Sequence, residues 1–255
     1  KAGWGQGGDL ITLCEDRVLK ILANKDALFN ADGNSNITST NNVLGQAIPY
    51  SGEYGISRNP ESFASEAYRI YFTDKVRGTV MRLSMDGLTP ISSHGMKDWF
   101  RDHLKLSDGL MGSYDDKKDE YNILLANPTR KTVTFREDVR GWVSFKSFLP
   151  ENAISCASEY YTFKDGKLWK HHAEQYDAFG KEINRNTFYG MHNSNSYSTF
   201  TAVLNDVPGT VKSFNTINYE GSDSRVTANL LDDQYYNLSP KPGWYVDSLI
   251  TNKES

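Results

Sequence analysis

The chain is poor in the residues that usually announce chemistry. Cysteine occurs only twice in 255 residues, as Cys14 and Cys156. That excludes a disulfide framework and a thiolate metal cluster, and both are read as buried small hydrophobes. No apolar run approaches the ~18 residues needed to cross a bilayer, so no membrane span is expected. No signal peptide is recognisable. Neither sign of charge dominates, with 28 basic residues against 32 acidic and a net charge of −4. This balance excludes the basic excess of a nucleic-acid clamp, yet it suits a surface past which DNA slides without sticking. There is no GxSxG elbow, Walker loop or HExxH pair. The chain opens on Lys1 and is read as a fragment, a processed product or the ordered part of a longer protein.

Aromatic residues are plentiful, at 13% with 15 Tyr and 12 Phe, which favours strands over helical bundles. They recur in one local pattern, in which an aromatic strand runs into a charged turn and a second strand follows. The pattern is YRIYFTDKVRGTVMRLS from Tyr68, GSYDDKKDEYNILL from Gly112 and EYYTFKDGKLWKHH from Glu159. Anchored on Tyr71, Tyr114 and Tyr161, the copies stand 43 and 47 residues apart, the period of a β-propeller blade or a similar β-repeat.

Residues 9–29 read as a hairpin. Residues 30–42, dense in Asn, Ser, Thr and Gly, read as a loop, and the irregular stretch extends to 65. Asp86-Gly87 and Asp165-Gly166 mark tight turns. Residues 95–106 break the β pattern: Met96, Trp99, Phe100, His103 and Leu104 fall on one helical face, with charged residues opposite. Residues 150–158 read as a loop. Strand character returns in STFTAVLND, TVKSFNTINYEG and SRVTANL. The fold class expected is therefore mainly β, a β-propeller or partial propeller with long inserted loops and one short helix. Residues 1–172 would form propeller-like blades with an inserted loop at 30–65 and the helix at 95–106. Residues 173–239 would supply further strands as a separate β layer, and 240–255 a peripheral tail.

Each candidate site has a plainer reading. Asp115, Asp116, Asp119 and Glu120 could act as paired carboxylates or hold Ca²⁺, but they alternate with Lys117 and Lys118 and read as a solvated hairpin tip. His171 and His172 are neighbours on a strand and point to opposite faces, so they do not share a metal. His94, His103 and His192 stand alone. Ser155-Cys156 lacks any cue for a base. The GWGQGG opening reads as a flexible or closely packed lead-in. Trp142, Phe145, Phe148, Tyr160, Tyr161, Phe163 and Trp169 could form a sugar-stacking platform, but read better as core between blades. No catalytic residue, cofactor site or metal site is assigned.

Two blocks go beyond generic β sequence. One runs from LCEDRVLKILANKDALFNADGN to MRLSMDGLTPIS, and the other from GSYDDKKDEYNILL to RNTFYG. They include the strings NPESFASE, YFTDKVRG and GWVSFKSF, and over most of residues 9–221 the chain resembles tail structural proteins of tailed bacteriophages. The nearest likeness is to the muzzle proteins of crAss-like phages, related in architecture to the nozzle of short-tailed phages. The resemblance implies a propeller-containing subunit in a homo-oligomeric ring at the distal end of the virion tail. Its partners would be other tail proteins, the host surface, and double-stranded DNA passing through the lumen. It implies no catalytic residues. A complete subunit of that family is longer, and three clear repeats plus the Asp9–Phe29 hairpin fall short of the usual propeller, so this chain is expected to be one piece of a larger one. The competing expectation is a carbohydrate-binding receptor-recognition protein or a propeller-type glycan-acting enzyme, with Trp and Tyr around convergent carboxylates. A third is an interaction scaffold built from more uniform repeats.

Overall fold

The computed structural model describes residues 3–6, 8–29, 35–173, 187–190, 198–204, 206–213, 247–248 and 250. The chain divides into two compact units, Lys1–Thr199 and Phe200–Ser255. The first unit is mainly β, as its composition implied. Each of its four sheets is an antiparallel meander whose strands follow chain order, and none closes into a barrel. The first sheet holds β1 (Gly3–Gln6), β2 (Asp9–Leu13), β3 (Val18–Phe29) and β4 (Ser35–Pro49). The second holds β5 (Ala64–Ser65), β6 (Ile70–Asp74), β7 (Thr79–Ser84) and β8 (Gly87–Pro90). A helix, α1 (Lys97–Leu104), precedes the third sheet of β9 (Leu110–Asp115), β10 (Glu120–Leu125), β11 (Lys131–Arg136) and β12 (Gly141–Lys146). The fourth is β13 (Asn152–Cys156), β14 (Glu159–Lys164) and β15 (Lys167–Lys170).

Strand alternation explains how the sheets stack. Every residue of β6 is buried. Ile70 and Phe72 point one way, pairing with Leu83 and Met81, and pack on Ile11, Leu13 and Val18 of the first sheet. Tyr71 points the other way, with Val80, onto Tyr121, Ile123, Val133 and Phe135 of the third. The helix closes that second core with Phe100 and Leu104, the face expected from its sequence. Leading strands lie side by side, with β9 against β5 on one flank and β13 on the other.

Two features lock this stack. Asp74 is fully buried at the end of β6. Its carboxylate accepts from Gly55 N at 3.2 Å, Ser57 Oγ at 3.2 Å and Arg77 N at 3.0 Å, and pairs with the Arg77 guanidinium at 3.1 Å. It thereby pins the 50–58 crossover. At Gly112 the backbone of β9 comes so close to the residues before β5 that a Cβ there would sit 2.0 Å from Ser62 O. Tyr121 OH, beside it, donates to the same carbonyl at 3.0 Å.

Several expectations are corrected. The polar stretch inside 30–65 is not all loop, because residues 35–49 form β4. Its Asn, Ser and Thr residues satisfy their backbones by pairing with β3, with Asn36 opposite Leu28 and Ser39 opposite Lys25; composition alone does not register such a template. Residues 152–156 of the expected 150–158 loop form β13, and the glycine-rich opening contains β1. Tyr71, Tyr114 and Tyr161 are not equivalent. Tyr71 and Tyr161 lie on the second strands of their sheets and Tyr114 on a first strand, so the apparent period mixes two turns of the meander. Cys14 is half-buried and Cys156 exposed, and both are free. The described residues of STFTAVLND contain no strand. Of TVKSFNTINYEG, residues 210–213 form no strand, while 214–221 and SRVTANL at 224–230 lie outside the described residues.

Gly112→Ala is expected to lose about 1–3 kcal/mol through overpacking. Asp74→Ala is expected to lose about 2–4 kcal/mol, because Gly55 N, Ser57 Oγ and Arg77 N lose their buried acceptor. Urea unfolding of the two variants checks both.

Candidate functional site

The seam between the third and fourth sheets differs from the apolar seams before it. Alternation on β9, β10 and β11 sends Tyr121, Ile123 and Val133 toward the second sheet, and Ser113, Asn122 and Thr134 toward the fourth. Thr134 Oγ1 donates to Asn122 Oδ1 at 2.7 Å. Ser113 Oγ and Tyr160 OH share a hydrogen bond of 2.7 Å. Thr132 Oγ1 donates to Phe148 O at 2.6 Å, and Lys146 pairs with Glu120 at 2.5 Å. Partners of this kind are the condition under which buried polar groups are tolerated; the exception is Asn122 Nδ2, which is buried without one.

The acidic group at the β9–β10 turn opens onto this seam. It is not wholly the solvated tip its composition suggested. Asp115 is fully buried; its carboxylate accepts from Lys117 N at 3.0 Å and meets His172 Nε2 at 2.6 Å. Burial pushes the Asp116 carboxyl up, and the negative charges of Asp115, Asp119 and Glu66 add to it. Asp119 sits in the turn with φ 53°, and Glu120 is tied to Lys146. Beside them Lys117, Lys118, Lys170, His172 and Ala173 line an open depression of about 510 Å³. Its positive charge is largely answered on the spot: Glu159 pairs with Lys117 at 2.8 Å and with Lys170 at 3.1 Å. Those two hydrogen bonds hold the Glu159 carboxyl below its ordinary range.

The adjacent histidines have separate tasks, but not through strand alternation: β15 ends at Lys170, His172 has φ 55°, and both rings lie beside Tyr160. His172 ties the end of the fourth sheet to Asp115 of the third. His171 is buried against Phe148 and Tyr160, with its Nε2 2.7 Å from Thr162 Oγ1. Burial lowers its pKa to about 4, and the neighbouring His172 acts in the same direction. Among the described residues no group of three or more His, Cys, Asp or Glu could hold a metal ion.

The other candidates are dispersed. Ser155 Oγ donates to Tyr114 O at 2.7 Å and accepts from Asp116 N at 3.1 Å, so it bonds backbone rather than a base. Cys156 faces solvent. His103 stacks on Trp99 at 4.2 Å, and His94 leans on Phe135; His192 lies outside the described residues. The aromatics form no single platform. Trp142 packs on Phe100 and Phe135 with its Nε1 donating to Ile91 O, and Trp169 packs on Tyr189. Phe148 and Tyr160 are core, as expected, but Phe145 and Phe163 are exposed.

Against known proteins, no family model matches the chain and no curated protein matches it.

One cluster escaped sequence reasoning. Tyr71 OH donates to Glu137 at 2.9 Å, Arg82 pairs with Glu137 at 2.9 Å, and Arg69 pairs with Glu66 at 2.6 Å. Tyr71 stacks on Tyr121 at 4.7 Å and on Tyr114 at 5.7 Å, each with planes 13° apart. Burial, with Glu137 next, drives the Tyr71 phenol far above its ordinary pKa, so it stays a neutral donor. The recurrence of Tyr at strand ends is the signal that could have found it. The cluster joins the second and third sheets, and its groups bond each other rather than an open cavity.

The His171 shift sets a pH dependence. Its folded pKa lies below the unfolded value, so the unfolded chain takes up the proton first. The stabilisation is complete above about pH 6.5 and is lost as pH falls toward 4, up to about 3 kcal/mol. Urea midpoints measured across that range should fall more steeply for the wild type than for His171→Gln.

Proposed function

We propose that the chain is a structural component of a bacteriophage virion tail. It would be a propeller-type subunit of a muzzle or nozzle ring, at the distal end of the tail, around the channel through which DNA leaves. The observation that carries the reading is the series of four antiparallel meanders in chain order, the leading strands of the second, third and fourth lying side by side. Propeller blades would follow one another in this way, which supports the reading alongside the resemblance in NPESFASE, YFTDKVRG and GWVSFKSF. A structural rather than catalytic role is supported by the use of the reactive side chains. Asp74, Asp115, Glu137 and His172 are spent on ties between neighbouring segments, and Ser155 on backbone. The mixed charge of the chain suits passage of a polyanion without retention.

The glycan-binding alternative requires aromatic side chains beside convergent carboxylates. Trp142 is instead committed to the helix-side core and Trp169 to Tyr189, so no observation favours it. Electron microscopy of the purified chain, and of particles carrying it, decides between them. Rings in solution and antibody label at the tail tip are expected. A monomer that binds glycans on an array, with no label on any virion, contradicts the proposal.

A further inference from the structure

The fourth sheet is joined to its neighbour differently from the other three. No residue of β13, β14 or β15 belongs to either apolar core. Side-chain hydrogen bonds and ion pairs tie it across the seam instead. Ser113 meets Tyr160 at 2.7 Å, and Ser155 bonds the backbone of Tyr114 and Asp116. Lys117 pairs with Glu159 at 2.8 Å, and Asp115 meets His172 at 2.6 Å. Among these ties sits His171, 8% exposed and the one buried histidine among the described residues. Its ring lies 4.8 Å from Phe148, 5.1 Å from Tyr160 and 5.9 Å from Phe188. The titratable and charged groups that face it are His172 beside it, Asp115 at the end of β9, Lys146 on β12, Tyr160 on β14, and Tyr189. Lys146 is held by Glu120 of β10. Asp115, the carboxylate that faces the ring, is already taken by His172 Nε2 and Lys117 N. A proton on His171 therefore creates a buried cation beside Lys146 and His172, with no free carboxylate to meet it. Such a charge is costly where it stands.

We propose that the fourth sheet is an acid-released layer: protonation of His171 undocks β13–β15 from the third sheet while the first three sheets stay folded. A segment that shares no apolar core with its neighbours is the kind that opens on its own, ahead of the whole domain. The first three sheets keep both apolar cores when the fourth leaves, because none of the core residues belongs to it. The direction of the pH effect follows from burial. In the docked sheet burial holds the imidazole pKa down, to about 4. In the opened sheet the ring returns to water and to its ordinary value of about 6.5. The opened form takes up the proton first, so docking is complete above about pH 6.5 and weakens as pH falls toward 4. With those two values the opening equilibrium rises about 20-fold between pH 7 and pH 5. The device is a property of the chain itself and does not rest on the virion reading.

Amide hydrogen exchange of the full chain at pH 7 and pH 5 is the test, with each rate divided by the intrinsic rate at the same pH. The strands to compare are β14 and β10, because each is paired on both sides within its own sheet and neither frays as an edge. At pH 5, β14 of the wild type should be at least about tenfold less protected than β10. Between pH 7 and pH 5 it should lose about 20-fold in protection. His171→Gln, which cannot take up the proton, should lose less than about threefold over the same interval. Near-UV circular dichroism verifies that the variant is folded. If it is not, the His171 ring resonances of the wild type decide. Protonation of the ring in step with the loss of β14 protection supports the proposal, and protonation while β14 stays protected overturns it. Equal protection of β14 and β10 at pH 5 overturns it too, because the unit then opens as a whole. A full 20-fold loss retained in His171→Gln overturns it as well, since the trigger then lies in another group.

Discussion

Everything in the first unit depends on β6 being covered on both faces. A five-residue strand with no exposed position cannot lie at the edge of a domain, so a sheet must pack on each side of it. Ile70 and Phe72 recruit the first sheet, and Tyr71 recruits the third. Burial of each large side chain contributes roughly 1.5–3 kcal/mol, and the strand ends on Asp74, whose bonds from Gly55 and Ser57 fix the crossover that brings the first sheet into place. The order of the stack follows from that one strand.

Further along, the character of the seams changes. The first two are apolar. The third is built from Ser113, Asn122, Thr134 and Tyr160, and is closed at its rim by Asp115 and His172. Hydrogen bonds are directional where apolar packing is not, so this seam fixes the fourth sheet in one orientation. Tyr160 and Trp169 lie on the seam side of the fourth sheet, while Ile154, Phe163 and Leu168 lie on its outer side together with Glu159 and Lys170.

Much of the fold was legible where periodicity is strong. The β9–β12 meander, the Asp165-Gly166 turn (φ 52° and 69°, both positive as a tight two-residue hairpin favours) and the amphipathic face of α1 all follow from the sequence. β4 was hidden because Asn, Ser and Thr read as loop unless the paired strand is known. The mismatch of Tyr114 with Tyr71 and Tyr161 arose because strand–turn–strand units look alike whichever turn of a meander they come from. The site was harder still. Asp115 and Asp116 are neighbours of identical type, yet one is fully buried and the other is not. That difference is set by His172, 57 residues away, and by the β13 strand that packs alongside.

The account stands or falls on β6 as the doubly covered centre of the stack, and amide hydrogen exchange followed strand by strand measures this most directly. Backbone amides of β6 and of β10, its counterpart in the third sheet, should exchange only through the slowest opening, while those of β12 and β15, at sheet edges, exchange well before them. If β6 amides exchange as fast as those of the edge strands, the sheets do not stack around it and the account is wrong.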